Sequence, residues 1–215
     1  MSTRQQQTGM SMVIVLLALL LMALASVALL RSTDTATQVI GNLGFQKTAL
    51  GQADGALKMA EDWISANSTG GALFSDDAAK GYYATSADNC DMTGNATPAI
   101  SSDNVTWDGG SSPSGCTMVA LAVTPDGLAT GYSVAYVINR LCNAPGDPAA
   151  PLADDGFTPM TCAHANTETL SGSTRASASY GQTPLSGGTQ YYYRITARIL
   201  GPRSSVRYIQ TLVIL

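Results

Sequence analysis

The chain has 215 residues, only 12% of them charged, and its formal net charge is −4. This acidic balance, with lysine and arginine scattered along the chain, argues against nucleic acid as a partner, because such binding needs a basic surface. An apolar segment near the start leaves about 185 residues, which is enough for one domain with its own core.

The apolar segment follows a short polar leader that ends at Gly9. Its sequence, MSMVIVLLALLLMALASVALL, runs to Leu30 without a charge, and Arg31 is the first charged residue after it. As a helix of about 21 residues it spans roughly 30 Å, the thickness of a bilayer core. Arg4 predicts a cytoplasmic leader. A secretory signal peptide is the alternative, but its candidate cleavage sites near residues 23–28 lie inside the apolar run.

A helical pattern continues beyond the apolar segment. Residues at alternating steps of four and three form one stripe, namely Val39, Leu43, Gln46, Leu50, Ala53, Leu57, Ala60 and Ile64. Such a stripe is typical of a helix face packed on its own domain, and Asn, Ser and Gly at 67–71 end it. We therefore predict one helix from about Met10 to about Ala66, apolar all round in its first half and amphipathic in its second.

Four glycines interrupt the second half of this predicted helix, at Gly41, Gly44, Gly51 and Gly55. Each costs about 1 kcal/mol relative to alanine in a helix. They mark either flexible points or close helix–helix contacts, and the sequence leaves both readings open.

The rest of the chain contains short strand candidates separated by Ser-, Gly- and Pro-rich loops. The candidates occupy residues 81–85, 104–107, 117–124 and 131–140, followed by a hairpin of residues 190–200 and 203–214. In the hairpin, polar and apolar side chains alternate around a Gly201-Pro202 turn. We expect an antiparallel sheet whose apolar face is covered by the amphipathic half of the helix, which is an α+β arrangement.

The four cysteines all lie beyond the helix, at Cys90, Cys116, Cys142 and Cys162. An even number in an exported domain favours two disulfides, and four cysteines pair in three ways. The Pro-, Gly- and Asp-rich loop before Cys162 would gain rigidity from closure. We therefore favour the sequential pairing, Cys90 with Cys116 and Cys142 with Cys162.

Catalytic and metal-binding patterns are weak. His164 is the single histidine, and the sequence has no GxSxG, phosphate-loop or HExxH motif. We therefore predict a non-enzymatic protein without a cofactor or metal.

Three aspartates, Asp147, Asp154 and Asp155, offer oxygen ligands but lack the spacing of a calcium loop. A solvated turn is favoured at these residues, and calcium binding is left open. The run of tyrosines at 191–193 is either an adhesive surface or, as we favour, part of a strand.

Three stretches of the chain together resemble the PilX-type minor pilins of type IV pili. They are residues 5–33, 41–63 and 191–213, which contain QQQTGMSMVIVLLALLLMALASVALLRST, GNLGFQKTALGQADGALKMAEDW and YYYRITARILGPRSSVRYIQTLV. The middle of the chain is only broadly similar. The resemblance implies a type IV pilin fold, with the apolar half of a long helix in the membrane and its amphipathic half on an antiparallel sheet with disulfide-closed loops.

The same resemblance implies a division of the chain and a processing site. The parts are a leader at 1–9, a transmembrane and assembly half at 10–30, an amphipathic half at 31–66 and a β-rich domain at 67–215. In the family a prepilin peptidase cuts after the glycine, here between Gly9 and Met10, and the new amino terminus is methylated.

The implied partners are this peptidase, other minor pilins and the major pilin, the last two through the helix. The implied location is the bacterial inner membrane, with a cytoplasmic amino terminus and a periplasmic domain, and then the pilus.

One residue departs from the family pattern. Most pilins carry a glutamate at the fifth position of the mature chain, where this sequence has Ile14. In the family the absence of this glutamate goes with the top of the fibre, so the resemblance implies a subunit that primes assembly at or near the pilus tip. The alternatives are a K-type pseudopilin of a type II secretion system, a tip adhesin or DNA-uptake module, and a generic anchored exported domain.

Overall fold

The structure, a computed structural model, describes residues 10–96, 98–110, 115–165 and 189–215. The chain divides into two compact units, Met1–Lys47 and Thr48–Leu215. Helix α1, Met10–Ala66, has 57 residues, so it begins in the first unit and ends in the second. The predicted extent of the helix is confirmed.

The end of α1 follows from local chemistry. The Asn67 side chain donates to the Trp63 carbonyl oxygen at 2.8 Å, which satisfies a carbonyl of the last turn. Gly70 and Gly71 then adopt positive φ angles of 84° and 81°, a backbone region that glycine enters without a steric cost. The chain therefore leaves the helix where the Asn-Ser-Thr-Gly-Gly sequence predicts.

The second unit contains a six-stranded sheet. The strands are β1 Tyr82–Tyr83, β2 Leu121–Val123, β3 Ser133–Arg140, β4 His164–Ala165, β5 Gln190–Gly201 and β6 Ser205–Ile214. β3 and β5 pair antiparallel in the middle, β6 pairs antiparallel with β5, and β2 and β4 add short antiparallel ladders. A short 3-10 turn, Pro202–Ser204, joins β5 to β6, as the Gly-Pro sequence predicts.

The sheet is mixed, so the prediction of a purely antiparallel sheet is wrong. β1 pairs with β3 in parallel, with Tyr82 opposite Ile138 and Tyr83 opposite Asn139. Parallel neighbours need a long connection, and the residues between β1 and β3 supply it. A two-residue strand has too little periodicity for its direction to be read from sequence.

One face of the sheet packs against the second half of α1. Trp63 of the helix contacts Tyr82 of β1, with ring centroids 5.4 Å apart. The buried side chains on this face of β3 and β5 are Val134, Tyr136, Ile138, Tyr193, Ile195, Ala197 and Ile199. The helix therefore covers the apolar face of the sheet, as predicted.

The helix side of this contact agrees with the predicted stripe in part: Ala53, Ala60 and Ile64 of the stripe are buried, and the other packed positions lie beside it. The buried residues of α1 are Ala49, Ala53, Ala56, Ala60 and Ile64. Leu50, predicted to be packed, is 53% exposed, and Val39 and Leu43 are exposed as well. Small alanine side chains let the helix backbone approach the sheet closely. The packed face therefore consists mainly of small residues and not of the largest apolar side chains.

The other face of the sheet is covered by the segment between β1 and β2. Its cluster contains Tyr83, Met92, Val105, Trp107, Cys116, Met118, Ala120, Ala135 and Val137. Residues 104–107 do not form the predicted strand; Asn104 and Thr106 make only isolated bridges, to Asp91 and Val119. Conversely, β4 begins two residues after Cys162 and was not predicted, because two residues give no periodic signal.

The disulfides join Cys90 to Cys116 and Cys142 to Cys162, which is the sequential pairing favoured from sequence. The first closes the layer that covers the sheet, and Cys116 is fully buried there. The second joins Cys142, in the loop after β3, to Cys162, which lies two residues before β4. Each bridge therefore restrains a loop against the sheet.

Candidate functional site

The first unit presents a continuous apolar surface. The large side chains between Met12 and Leu30 are exposed in the isolated chain. Among the described residues, α1 is the one helix long and apolar enough to cross a membrane, judged by length and composition. Exposed apolar surface of this size indicates contact with lipid or with other protein.

The predicted processing and assembly residues lie at the start of this helix. Gly9 lies outside the described residues, and Met10 is the first residue of α1. Ile14 belongs to the apolar surface and is 64% exposed. From Met10 the sequence has no carboxylate before Asp34. This part of the helix therefore has no acidic side chain that could pair with a positively charged amino group.

The glycines of α1 differ in their surroundings. A Cβ atom added at Gly55 would lie 2.8 Å from the Cβ atom of Pro125, whereas Gly41, Gly44 and Gly51 face open space. Gly55 thus marks a close contact with a turn, rather than the helix–helix contact that the sequence left open. The turn that starts at Pro125 is also held by a hydrogen bond from the Ala129 N–H to the Gln52 side chain at 3.1 Å.

The candidate catalytic and calcium-binding residues form separate local structures. His164 is exposed, and its Nδ1 lies 2.9 Å from the Cys162 carbonyl oxygen. Asp155 accepts hydrogen bonds from Phe157 and Thr158, and the Thr158 hydroxyl in particular lowers the pKa of Asp155. Asp147 caps the following turn at the Ala149 N–H. Within the described ranges, no three His, Cys, Asp or Glu residues are grouped to hold a metal ion.

The tyrosines are mostly structural. Burial raises the pKa of Tyr82, Tyr83, Tyr136 and Tyr193, which keeps their hydroxyls protonated. Tyr193 is buried, while its neighbours at 191 and 192 are half-buried. This agrees with the strand interpretation of the tyrosine run.

A polar cluster joins the covering layer to β5. Arg198 pairs with Asp108 and lies over the Trp107 ring, with 5.6 Å between the guanidinium carbon and the ring centroid. The Trp107 ring also meets Tyr208 edge-on, at 5.5 Å between centroids. The hydrogen bond from Arg198 lowers the pKa of Asp108. The cluster adjoins a cavity of about 290 Å³, and its contacts fasten one layer to the next.

Arg140 is a feature that sequence reasoning missed. Its side chain is fully buried, and its nitrogens donate to the backbone carbonyl oxygens of Leu73, Ala84, Ala144 and Gly146. It thereby ties three loops to the end of β3. An arginine at a strand end usually faces solvent, so the sequence carried no signal for this burial.

Comparisons with protein-family models, with curated proteins and with solved structures find no match to this chain. What the structure establishes is an α+β chain whose long apolar N-terminal helix packs, in its second half, on a mixed sheet with two disulfides.

Proposed function

We propose that this protein is a minor pilin with the type IV pilin fold, a structural subunit that primes pilus assembly and sits at or near the tip. The observation that supports this most is the helix α1, which runs without interruption from an exposed apolar surface into the face that packs on the sheet. One helix of this kind can anchor a subunit in a bilayer and later pack against other helices in a fibre.

The proposal requires removal of the leader between Gly9 and Met10. Mass spectrometry of the protein purified from its own host should give a mature chain that starts at N-methylated Met10. Gly9→Val should leave an unprocessed precursor in the membrane. The matched control is Gly41→Val, because that glycine faces open space in the helix. An intact Met1, or cleavage after the apolar run, would contradict the proposal.

The tip position is supported by Ile14. A lone carboxylate in an apolar surrounding is costly unless it is paired. A subunit without this carboxylate therefore needs no preceding neighbour in the fibre to supply a positive partner. Immunogold labelling should find the wild-type subunit at fibre ends, and Ile14→Glu should spread it along the shaft. Leu17→Glu controls for the added charge. Wild-type label distributed along the shaft would refute the tip assignment.

Ile14 also favours a second candidate, a K-type-like pseudopilin of a type II secretion system, because that subunit class likewise lacks the glutamate. Deletion of the protein separates the two functions. Loss of pili with normal secretion of folded proteins supports the minor pilin, and loss of secretion with normal pili supports the pseudopilin.

A further inference from the structure

Among the described strands, β6 lies at an edge of the sheet. It pairs with β5 along its whole length, and no other described strand pairs with it. Leu215 and Tyr191 exchange both backbone hydrogen bonds, at 2.7 and 3.1 Å. In an antiparallel ladder such pairs alternate, so the N–H and C=O groups of Leu212 and Ile214 point away from β5. These groups are positioned to pair with a further strand.

A groove runs beside this edge, between β6 and the second half of α1. It has a volume of about 580 Å³ and is lined by Asp54, Leu57, Lys58 and Glu61 of the helix and by residues 211–214 of the sheet. The helix side of the groove is acidic, because it carries the carboxylates of Asp54 and Glu61 and a single ammonium, that of Lys58. The Lys58 ammonium lies 3.0 Å from the Asp62 carboxylate, with which it forms an exposed ion pair. Asp54 and Glu61 are exposed and take part in neither of the described ion pairs.

The two faces of the edge differ in chemistry. The residues of β6 opposite the buried Tyr193 and Ile195 face α1, so Val213 and Thr211 lie on the groove side. The side chains of the alternate residues lie on the other face, although these residues also border the groove at the strand edge. On that face Leu212 is 57% and Ile214 is 42% exposed. A strand added to this edge would place every second side chain over the acidic groove and the others beside exposed aliphatic residues.

We propose that the β6 edge binds an extended strand of another polypeptide in which basic and aliphatic residues alternate. Its lysine or arginine side chains lie along Leu57 with their charges near Asp54 and Glu61, and its aliphatic side chains cover Leu212 and Ile214. Main-chain hydrogen bonds to β6 supply affinity, and the alternation supplies specificity. A second copy of β6 fits this groove poorly, because Arg207 is its single basic residue.

The test uses the full chain in detergent micelles and a fluorescent peptide as long as β6 that alternates arginine and valine. Anisotropy should report saturable binding. A glutamate–valine peptide and an arginine–valine peptide with alternate amides N-methylated should each bind at least about tenfold more weakly, because one lacks the charge and the other the ladder hydrogen bonds. Equal binding of either control peptide would overturn the proposal.

Two variants of the protein locate the site. Leu212→Pro removes an outward N–H while sparing the hydrogen bonds to β5, and Leu212→Ala is its control. Asp54→Lys with Glu61→Lys reverses the groove charge at exposed positions, and Asp126→Lys, an exposed carboxylate outside the groove, is the matched control. Each test variant should weaken binding about tenfold or more, and each control should bind like the wild type within about twofold.

The charge-reversal variant keeps the proposal falsifiable if the proline variant does not fold. Binding of the arginine–valine peptide that survives charge reversal would overturn the proposal. A dimer of the chain would also overturn the proposal if Leu212→Ala preserved it, Leu212→Pro abolished it and the peptide did not displace it. The edge would then bind a second copy of the chain. Neither outcome depends on cleavage at Gly9, so this test is independent of the proposed role in a pilus.

Discussion

Arg140 is a fully buried cation held by backbone carbonyl oxygens. Arg140→Lys keeps the charge but replaces a planar fork of donors by a single ammonium, which cannot reach carbonyls on three loops. We expect the free energy of unfolding to fall by about 2–3 kcal/mol, the cost of leaving buried polar groups unsatisfied. Urea unfolding followed by tryptophan fluorescence measures this.

The control for Arg140 is Arg207→Lys, since Arg207 is exposed on β6. It should change the free energy of unfolding by less than about 0.5 kcal/mol. Equal effects of the two substitutions would show that the four carbonyl contacts do not stabilise the fold.

Asp108 makes part of the stability depend on pH. Its hydrogen bond to Arg198 lowers its pKa in the folded state below the ordinary value of 3.8. The pair therefore contributes stability above the unfolded-state pKa, and this contribution is lost as the pH falls through the folded-state pKa. Because the Asp108 side chain is largely exposed, the contribution is at most about 1 kcal/mol.

Asp108→Asn should therefore lower stability at pH 7 and reduce the loss of stability below about pH 4. Thermal unfolding measured across pH 2–7 tests this, and the difference from the wild type at pH 7 should be no more than about 1 kcal/mol. Asp126→Asn, which removes an exposed carboxylate in a turn, should keep the acid dependence of the wild type. An unchanged acid profile in Asp108→Asn would contradict the assigned ion pair.

At the scale of the element, the packed face of α1 consists mostly of alanines, with Ile64 near its end. Ala56 is fully buried, so Ala56→Leu should overpack the contact with the sheet and cost about 1–3 kcal/mol. Leu50→Ala, on the exposed side, should cost less than about 0.5 kcal/mol. Unfolding in urea compares the two. A larger cost for Leu50→Ala would show that Leu50 belongs to the packed face, as the predicted stripe has it.

At the scale of the whole molecule, the buried hydrophobic residues of the described chain begin at Ala49. A fragment of residues 31–215 should therefore keep the core of the second unit and unfold cooperatively, within about 1 kcal/mol of the full chain. A fragment that starts at Asn67 should fail to fold, because it exposes the apolar face of the sheet. Near-ultraviolet circular dichroism and thermal melts test both fragments. A molten 31–215 fragment would contradict this account of the core.

Elements with a strong periodic signal were predictable. Helix α1 was predicted over its full extent because an unbroken helical pattern ends at asparagine and paired glycines. The hairpin of β5 and β6 was predicted because its residues alternate around a Gly-Pro turn. The residues for processing, Gly9 and Met10, and the position Ile14 remain predictions, since their roles depend on other molecules.

The sequence by itself determined the apolar helix, the hairpin and two loops to be closed by cysteines, because local periodicity and composition encode these features. Only the tertiary structure decided that Ala49 and Ala56 join the packed face of α1 and Leu50 does not, that β1 runs parallel to β3, and that Arg140 is buried. Each of these depends on which distant segments meet, and close packing then selects size and hydrogen-bonding partners that no local pattern records. The position of β6 at an edge among the described strands is of the same kind, because a strand's position in its sheet is set by its neighbours.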